Sequence, residues 1–365
     1  MQPNQCPVDP PKVDAPTEGP LTTEARRLTP DDSSLYIVSA LPLSEKLLIE
    51  DIRRRAGRGK RPRIPAGIGD DCAVLRLPRG HEALVTTDFS LEGVHFRHEW
   101  HPPDAVGHRC LARGLSDIAA MGGEPIAAFL SLALPAKLPQ SWVNRFFEGL
   151  LKLAHQFQIS LAGGDTAESP NGILADIVVL GSVPRGQAIL RSGARPGDRV
   201  YVTGELGSSA AALDQLLSGR KKKIGVTDVP RHFFPVPRLD AGCFLRENNV
   251  ASSMIDTSDG LSTDLSHICQ ESGVGATLNA AAIPRAVIGA ARTRVDLKFA
   301  LHGGEDYELL FTASPRAKIP PRIKGVRVTE IGVITRQQEM QLIYPDQRAE
   351  TLEPQGWQHF ARESM

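Results

Sequence analysis

The sequence lacks the features that mark several large classes of protein. No apolar run approaches the ~18 residues that a membrane-spanning helix needs, and the N-terminus has no basic start followed by an apolar stretch, so we expect no secretory signal. The five cysteines are odd in number, widely spaced and without a C-x-x-C pair. This usage argues against a disulfide framework or a zinc site and favours reduced thiols in a cytoplasmic protein.

Charge of one sign and several catalytic signatures are lacking as well. Lys plus Arg and Asp plus Glu both number 42, which gives no general attraction to nucleic acid or to an anionic membrane. The 10 histidines show no H-x-x-x-H or H-E-x-x-H spacing, and no Ser/His/Asp arrangement can be read. The turn 204–209 (GELGSS) lacks the Lys of a phosphate-binding P-loop, so we interpret it as a strand-to-helix connection capped by Ser208.

The length and the pattern of the chain indicate two lobes. The 365 residues are 41% hydrophobic and 23% charged, as in ordinary globular proteins, and are enough for two cores. Residues 1–41 are rich in Pro, Thr and Asp, and we predict a largely disordered extension. Strands and helices alternate in both halves, which predicts an α+β or α/β protein with an N-terminal lobe over 42–185 and a C-terminal α/β lobe over 186–365.

Hydrophobic periodicity places the elements. Ser44 is the expected N-cap of a helix through Arg54 whose inward residues are Leu47, Leu48 and Ile52. In the N-terminal half we expect strands at 73–77, 83–87, 127–134 and 173–183 and helices at 104–121 and 140–157. In the C-terminal half we expect strands at 199–203, 307–312 and 326–334 and helices at 208–218, 238–248 and 260–273.

Nine carboxylates stand in short peptides flanked by Gly, Ser or Thr and spread over the chain: Asp70, Asp71, Asp88, Asp117, Asp165, Asp256, Asp259, Glu305 and Asp306. Mg²⁺ prefers oxygen ligands and is usually held by one or two carboxylates plus substrate phosphates. Scattered acids with small neighbours therefore suggest a nucleotide held through bridging metal ions.

For some of these acids, a structural role competes with metal binding. Asp70 and Asp71 are adjacent, so on a strand they point to opposite faces, and one of them can bind metal while the other caps a turn. Asp117 lies away from the apolar stripe of its helix and close to the negative C-terminal end, where a surface carboxylate is disfavoured and a bound cation would reverse the effect. Asp256 and Asp259 stand three residues apart before a helix, and a capping role would explain one of them but not both.

The peptides that carry these acids resemble, in order and spacing, the motifs of the thiamine-monophosphate kinase family. They are 67–73 (GIGDDCA), 86–88 (TTD) with 94–96 (VHF), 115–122 (LSDIAAMG), 162–166 (AGGDT), 256–261 (DTSDGL) and 303–309 (GGEDYEL). The resemblance covers about residues 43–362. The related aminoimidazole-ribonucleotide synthetase-like enzymes are not matched by GGEDYEL joined to 356–360 (GWQHF).

The resemblance implies an activity and a set of site residues. The activity is transfer of the ATP γ-phosphoryl group to thiamine monophosphate with several Mg²⁺ ions, and the N-terminal lobe would bind ATP and metal and pair in a homodimer that closes a β-barrel. Metal positions are matched by Asp71, Thr86, Thr87, Asp88, Asp117, Asp165, Asp256 and Asp259, of which Asp88, Asp117 and Asp259 are the catalytic candidates. ATP positions are matched by Gly164, Asp165, Arg191, Ser258 and Phe147, and thiamine-phosphate positions by His95, Glu305 and Trp357.

Two departures and two alternatives remain open. The family says nothing of residues 1–41, and other members can carry a different aromatic in place of Trp357. From the residues alone, His95 is equally explained as a structural histidine. The alternative functions are another ATP-using enzyme of the same superfamily with a different acceptor, and a metal or nucleotide sensor that has kept the fold without turnover.

Overall fold

The computed structural model describes residues 43–57, 62–218 and 225–357. The extension predicted for residues 1–41 lies outside them. The first half contains three helices and four strands in the order α1 (Glu45–Ala56), β1 (His81–Leu91), α2 (Pro103–Ala120), β2 (Glu124–Leu134), α3 (Gln140–Gln156), β3 (Ser160–Glu168) and β4 (Leu174–Pro184).

The four strands of the first half form one mixed sheet in the order β1-β4-β2-β3. Strand β4 is antiparallel to both β1 and β2, whereas β3 runs parallel to β2. Strands β1 and β3 are the edges. Within the described residues this sheet is open, so the expected barrel stays a prediction.

Helices α2 and α3 cover one face of this sheet and pack closely on each other. Glycine makes the close approach possible, because a Cβ at Gly107 would lie 1.9 Å from the carbonyl oxygen of Phe146, and one at Gly149 would lie 1.8 Å from that of Asp104. The central sheet residues Ile177 and Val179 are fully buried beneath the helices. Between residues 105 and 120 every residue of α2 is buried except Arg113 and Asp117.

The second half contains a larger sheet with helices around it. Its elements are β5 (Arg199–Thr203), α4 (Ser208–Leu217), α5 (Pro230–Phe233), α6 (Leu239–Glu247), β6 (Ser253–Asp256), α7 (Leu261–Ser272), β7 (Gly275–Asn279), β8 (Val287–Ile288), β9 (Thr293–Arg294), α8 (Leu297–His302), β10 (Leu309–Ala313), β11 (Arg322–Ile323), β12 (Val326–Thr335), β13 (Met340–Ile343) and β14 (Ala349–Thr351). The larger sheet has the order β14-β13-β7-β12-β5-β10-β6, with β11 paired to β12, and β8 pairs with β9.

Helix α2 connects the two halves. It packs against β1 of the first sheet and against α6 and β6 of the second half. The C-terminal turns of α2 therefore contact both β1 and β6, and this junction carries three of the nine acids singled out in the sequence, Asp88, Asp117 and Asp256.

Four local expectations were wrong. Residues 73–77 form no strand: they make an isolated bridge between Ala66 and Val74, and their apolar side chains stay partly exposed. Leu48 and Ile52 of α1 are buried as predicted, but Leu47 is 51% exposed. Ser44 makes no side-chain hydrogen bond to its helix. Helix α4 is preceded by Gly207 in the left-handed conformation, so Ser208 is its first residue and not its cap.

No helix among the described residues is long and apolar enough to cross a membrane.

Candidate active site

Strand β1 and helix α2 bring the first acids together. Because side chains alternate along a strand, Thr86 and Asp88 point to the same face of β1, towards α2. The Thr86 hydroxyl donates a hydrogen bond to Asp117 on α2. A further hydrogen bond joins the carboxyl groups of Asp88 and Asp117. Two motifs 29 positions apart in the sequence thus meet in one place.

Strand β6 adds the third acid. Asp256 is the last residue of β6 and pairs with Leu309 of β10. Its Oδ2 accepts a 2.6 Å hydrogen bond from the Ser116 hydroxyl, the residue before Asp117 on α2. Asp88, Asp117 and Asp256, which we call the acid cluster, are therefore held by three separate elements.

The acid cluster carries an unbalanced negative potential. Burial raises the pKa of Asp88, and the neighbouring charge of Asp117 raises it further. Burial likewise raises the pKa of Asp256, again with a contribution from Asp117. For Asp117, burial raises the pKa although hydrogen bonds from Thr86 and Asp88 oppose it. Like charges this close disfavour full ionisation, and a cation placed among them would restore it.

Two arginines face the acid cluster. The Arg191 charge acts on both Asp117 and Asp256. Arg113 stands one helical turn before Asp117, with its Nε 3.8 Å from Oδ1 of Asp88. Arg191 was expected from the sequence. Arg113 was missed, although its spacing of four residues from Asp117 puts both on one face of α2 and could have revealed it.

A second group of predicted residues lines a cavity of about 570 Å³ beside strand β3. Its walls include Asp71, Phe147, Gly164 and Asp165 together with the glycine-containing loop 67–73. A Cβ at Gly164 would lie 1.8 Å from the carbonyl oxygen of Leu130, so only glycine allows the parallel pairing with β2 here. The volume falls in the range of small-molecule sites.

The cavity and the acid cluster lie at opposite edges of the first sheet. Asp88 belongs to β1 and Asp165 to β3, with two strands between them. Three strand spacings correspond to about 14 Å. Within one chain, Asp165 and Asp88 therefore do not share one ion. Thr87 is separated too, because its hydroxyl faces the other side of β1 and donates to Asp176 at 2.7 Å.

The loop 303–308 holds Glu305 in an unusual conformation. Glu305 and Tyr307 both adopt left-handed backbone angles, with φ of 64° and 52°, which are rare for residues with large side chains. Asp306 between them accepts hydrogen bonds from the N–H groups of Gly207 and Ser209. Burial nevertheless raises the pKa of Asp306 to about 7. These contacts fix a strained segment, a feature that is enriched at functional sites.

Glu305 is ionised and paired. Its carboxylate lies 2.7 Å from Arg109 Nη2. Burial alone would raise the pKa of Glu305, but the Arg109 and Arg113 guanidinium groups outweigh it and lower the pKa to about 2. The neighbouring Glu308 is fully buried and binds both Arg231, at 2.9 Å, and Arg238. The loop is thus anchored on both sides of Glu305.

The remaining predicted residues lie around the same loop or apart from it. The Ser258 carbonyl accepts a 2.8 Å hydrogen bond from the Glu305 N–H, and the Asp259 carbonyl accepts one of 3.1 Å from the Trp357 N–H. The Trp357 residue is 55% exposed. His95 sits in a turn after β1, where its Nδ1 accepts a 3.0 Å hydrogen bond from the Leu91 N–H.

A metal site is not complete from protein groups alone. In the part of the chain that the structure describes, no group of three His, Cys, Asp or Glu side chains is arranged to hold a metal ion. The acid cluster offers the hard oxygen donors that Mg²⁺ selects, and Mg²⁺ commonly takes its other ligands from water and substrate phosphates. The donor set fits that ion with a nucleotide present.

Comparisons with known proteins agree with the two halves. The family model "AIR synthase related protein, N-terminal domain" matches residues 69–183, and the model of the corresponding C-terminal domain matches 195–345. The thiamine-monophosphate kinase of Salmonella typhimurium is 38% identical over 316 residues, which are 83% of this chain and 94% of that protein.

Two solved structures are similar over most of the chain. Thiamine-monophosphate kinase from Stenotrophomonas maltophilia K279a has 35% identity and a TM-score of 0.71, covering 82% of this chain and 96% of that one. AaThiL complexed with AMPPCP and TMP has 32% identity and a TM-score of 0.68, covering 78% and 89%.

Proposed function

The chain belongs to the thiamine-monophosphate kinase family of AIR synthase related proteins, and from this premise we propose its reaction. It is a kinase that transfers the γ-phosphoryl group of ATP to thiamine monophosphate, giving thiamine diphosphate and ADP in thiamine diphosphate biosynthesis. A relative of similar fold is complexed with AMPPCP and TMP, a nucleotide analogue and the acceptor together.

The observation that carries the proposal is the acid cluster. Asp88, Asp117 and Asp256 come from three elements and converge with the Thr86 hydroxyl and the charge of Arg191. A mere structural role would not require a buried carboxylate, Asp256, and two partly buried ones, Asp88 and Asp117, to face one another, because burial without full compensation costs free energy. A reaction between two anions does require such a site, because the carboxylates hold the cations that neutralise the anions.

The chemistry needs no general base. An oxygen of the acceptor phosphate attacks the γ-phosphorus, a new P–O bond forms, and the bond from γ-phosphorus to the bridging oxygen breaks so that ADP leaves. The acceptor is a phosphate monoester whose second pKa is about 6, so it is largely ionised at neutral pH. The task of the protein is to orient the two phosphates and to balance their charge.

We propose that Mg²⁺ is held by Asp88, Asp117 and Asp256 with Thr86. When bound, Mg²⁺ supplies neutralisation of the phosphate charges. The acid cluster would hold the ion, and the hydrogen bond from Ser116 fixes the carboxylate of Asp256 for that role. Asp259 is a further proposed metal ligand, and Thr87, whose hydroxyl faces the other side of β1, is proposed as a metal ligand apart from the acid cluster. Asp88, Asp117 and Asp259 are the proposed catalytic residues.

For the nucleotide we propose the cavity beside β3. Phe147 lies at its wall and suits a nucleobase neighbour, and Gly164 allows close approach of the backbone. Asp71 and Asp165, at the same cavity, are further proposed metal ligands. Arg191 and Ser258, on the side of the acid cluster, would contact the phosphate end.

For thiamine monophosphate we propose the surroundings of Glu305. The ionised carboxylate of Glu305 attracts the cationic ring system, and the exposed Trp357 offers a face on which a cation can stack. His95 is the third proposed contact. Both Glu305 and Trp357 are tied by backbone hydrogen bonds to the loop that contains Ser258 and Asp259.

We also propose a homodimer in which two N-terminal lobes close a β-barrel. The edge strand β1 is eleven residues long, and its outward residues Val85 and Phe89 are 67% and 52% exposed, an arrangement that invites pairing with a second copy. The lobes would be 42–185, which binds ATP and metal, and 186–365, with residues 1–41 as an extension. Light scattering on the purified chain should give twice the mass of 39.5 kDa, and Phe89→Asp should give a monomer. A wild-type monomer would refute the dimer.

The cytoplasm is the proposed location, because the cysteine usage suits a reducing compartment. Recovery of the native chain outside the cytoplasmic fraction would contradict this assignment.

A panel of acceptors tests the activity against the other ATP-using enzymes of the superfamily. Purified chain with ATP and Mg²⁺ should consume nucleotide with thiamine monophosphate and not with thiamine, thiamine diphosphate or an amide acceptor. Turnover with another acceptor alone would replace the proposed substrate. Binding of ATP without any turnover would favour the sensor.

A further inference from the structure

Arg113 is a partly buried cation that no part of the proposed chemistry has used. It is one of two residues on the buried stretch 105–120 of α2 that reach solvent, the other being Asp117. Because the two stand four residues apart, they share one face of the helix. Between residues 105 and 120, α2 therefore exposes to solvent only one acid of the acid cluster and one arginine.

The guanidinium of Arg113 interacts with residues of two proposed sites. It lies 3.8 Å from Asp88 of the acid cluster, and Tyr307, Glu305 and Asp88 all raise its pKa. These acids outweigh the effect of burial, which alone would lower its pKa, so the pKa of Arg113 is raised and the group stays charged. Its side chain is 16% exposed, so it is largely withdrawn from water while remaining reachable from the cleft.

Arg113 differs from its neighbour Arg109 in how its donors are used. Arg109 is committed to the protein, with Nη2 at 2.7 Å from Glu305 and Nη1 donating to the carbonyl of His232. The Arg113–Asp88 ion pair is 3.8 Å long, beyond the 2.7–3.2 Å of an N–H···O hydrogen bond. Arg113 therefore does not donate to Asp88 and retains N–H groups for another acceptor.

We propose that Arg113 binds the phosphate of thiamine monophosphate and holds it against the acid cluster during transfer. The proposal rests on the function given above. A guanidinium matches two phosphate oxygens with parallel N–H donors and stays charged at any physiological pH. Its electrostatic interaction with Glu305 associates it with the proposed acceptor site, while the cavity proposed for the nucleobase lies beside β3, at the opposite edge of the sheet from Asp88.

A competing explanation is that Arg113 only balances the charges of Asp88 and Glu305. In that case its removal would lower stability and weaken every ligand alike. A phosphate contact makes a narrower prediction, because thiamine differs from thiamine monophosphate by the phosphate alone. Comparing the two ligands on wild type and variant isolates the interaction between the guanidinium and the phosphate.

The experiment uses the full chain saturated with AMPPCP and Mg²⁺, titrated calorimetrically with thiamine monophosphate and with thiamine. Arg113→Met should weaken the binding of thiamine monophosphate about ten- to hundred-fold, which is the effect of losing a hydrogen bond to a charged group. The dissociation constant of thiamine should change less than about twofold, and so should that of AMPPCP in a separate titration. The affinity of Arg113→Lys for thiamine monophosphate should lie between those of wild type and Arg113→Met, since lysine keeps a point charge without the paired donors.

Arg145→Met is the matched control, because Arg145 is a half-exposed arginine on α3 whose 2.6 Å ion pair with Asp104 lies away from the acid cluster. It should leave all three ligands unchanged. If Arg113→Met does not fold by circular dichroism, Arg113→Lys carries the same comparison.

Equal losses for thiamine and thiamine monophosphate would overturn the phosphate contact, and so would a loss confined to AMPPCP. Those results leave the kinase assignment standing if wild type makes thiamine diphosphate. A wild type that binds neither thiamine ligand would overturn the proposed function and this inference together.

Discussion

Ser116 Oγ donates a 2.6 Å hydrogen bond to Oδ2 of Asp256 across 140 positions of sequence. Both side chains are buried, and the bond joins helix α2 of the first half to strand β6 of the second. Ser116 precedes Asp117, and Asp256 ends its strand, so one contact sets the separation of two members of the acid cluster.

Ser116→Ala should destabilise the fold and reduce turnover. The variant leaves a buried carboxylate without its donor, which typically costs about 1–3 kcal/mol. Chemical denaturation should show this loss, while Ser218→Ala, at an exposed serine of the α4 C-terminus, should stay within about 0.5 kcal/mol of wild type. Equal stability of the two variants would mean that the Ser116 bond does not hold Asp256.

Asp88→Asn and Asp117→Asn should leave the fold intact and reduce turnover by on the order of 10² or more, because each removes a charge that holds metal. Steady-state assays at saturating Mg²⁺, with circular dichroism for the fold, measure both effects. Asp214→Asn, at an exposed acid of α4, is the control. Wild-type turnover by both cluster variants would refute the metal assignment.

Trp357→Ala should weaken the binding of thiamine monophosphate far more than the binding of ATP. A cation stacked on an aromatic face gains about 0.5–2 kcal/mol, which corresponds to a several-fold to tens-fold rise in the substrate constant. Because the residue is 55% exposed, its removal should hardly change stability. Binding constants for both ligands, measured beside thermal unfolding, check this, and an equal loss for ATP would exclude stacking on the thiamine ring.

Two histidines should make stability fall in mild acid. His101 Nε2 lies 3.1 Å from His232 Nε2 in the interior, and His232 Nδ1 bonds to Ser209 Oγ at 2.9 Å. Burial, followed by the charge of Arg109, lowers the pKa of His101 to about 4 and that of His232 well below its usual value, although Glu305 opposes both. The folded state therefore keeps these rings neutral where the unfolded chain is protonated.

The sign follows from proton binding. Above about pH 6.5 the two histidines are neutral in both the folded and the unfolded state, and their contribution to the free energy of unfolding is fully present. This contribution is lost as pH falls from about 6.5 towards 4, because the unfolded state then binds more protons than the folded state. For His101 the loss is on the order of 3 kcal/mol by pH 4. His101→Gln should flatten this part of the pH profile, whereas His155→Gln, at an exposed histidine of α3, should not. Parallel profiles for wild type and His101→Gln would contradict the assignment.

Periodicity predicted the parts of the fold that depend on local pattern. Asp117 could be placed away from the apolar stripe of α2 because helical spacing decides which way its side chain points, whereas Thr86 and Asp88 were assigned from the resemblance. Leu47 failed by the same rule, since the pattern of α1 does not say which of two neighbouring leucines meets the core.

Contacts between distant segments could not be read in this way. The Ser116–Asp256 bond, the Arg109–Glu305 pair and the separation of Asp88 from Asp165 depend on strand order, which local pattern does not encode. The left-handed backbone at Tyr307 depends on the anchoring of its neighbours Asp306 and Glu308. That anchoring also explains why the expected strand at 307 begins at Leu309.

Transfer of a labelled phosphoryl group tests the central claim most directly. The chain is incubated with Mg²⁺, thiamine monophosphate and ATP labelled at the γ-phosphate, and the products are separated. We expect one ADP for each thiamine diphosphate, with the label in the terminal phosphate of thiamine diphosphate. Label released as inorganic phosphate, with thiamine monophosphate recovered unchanged, would contradict it.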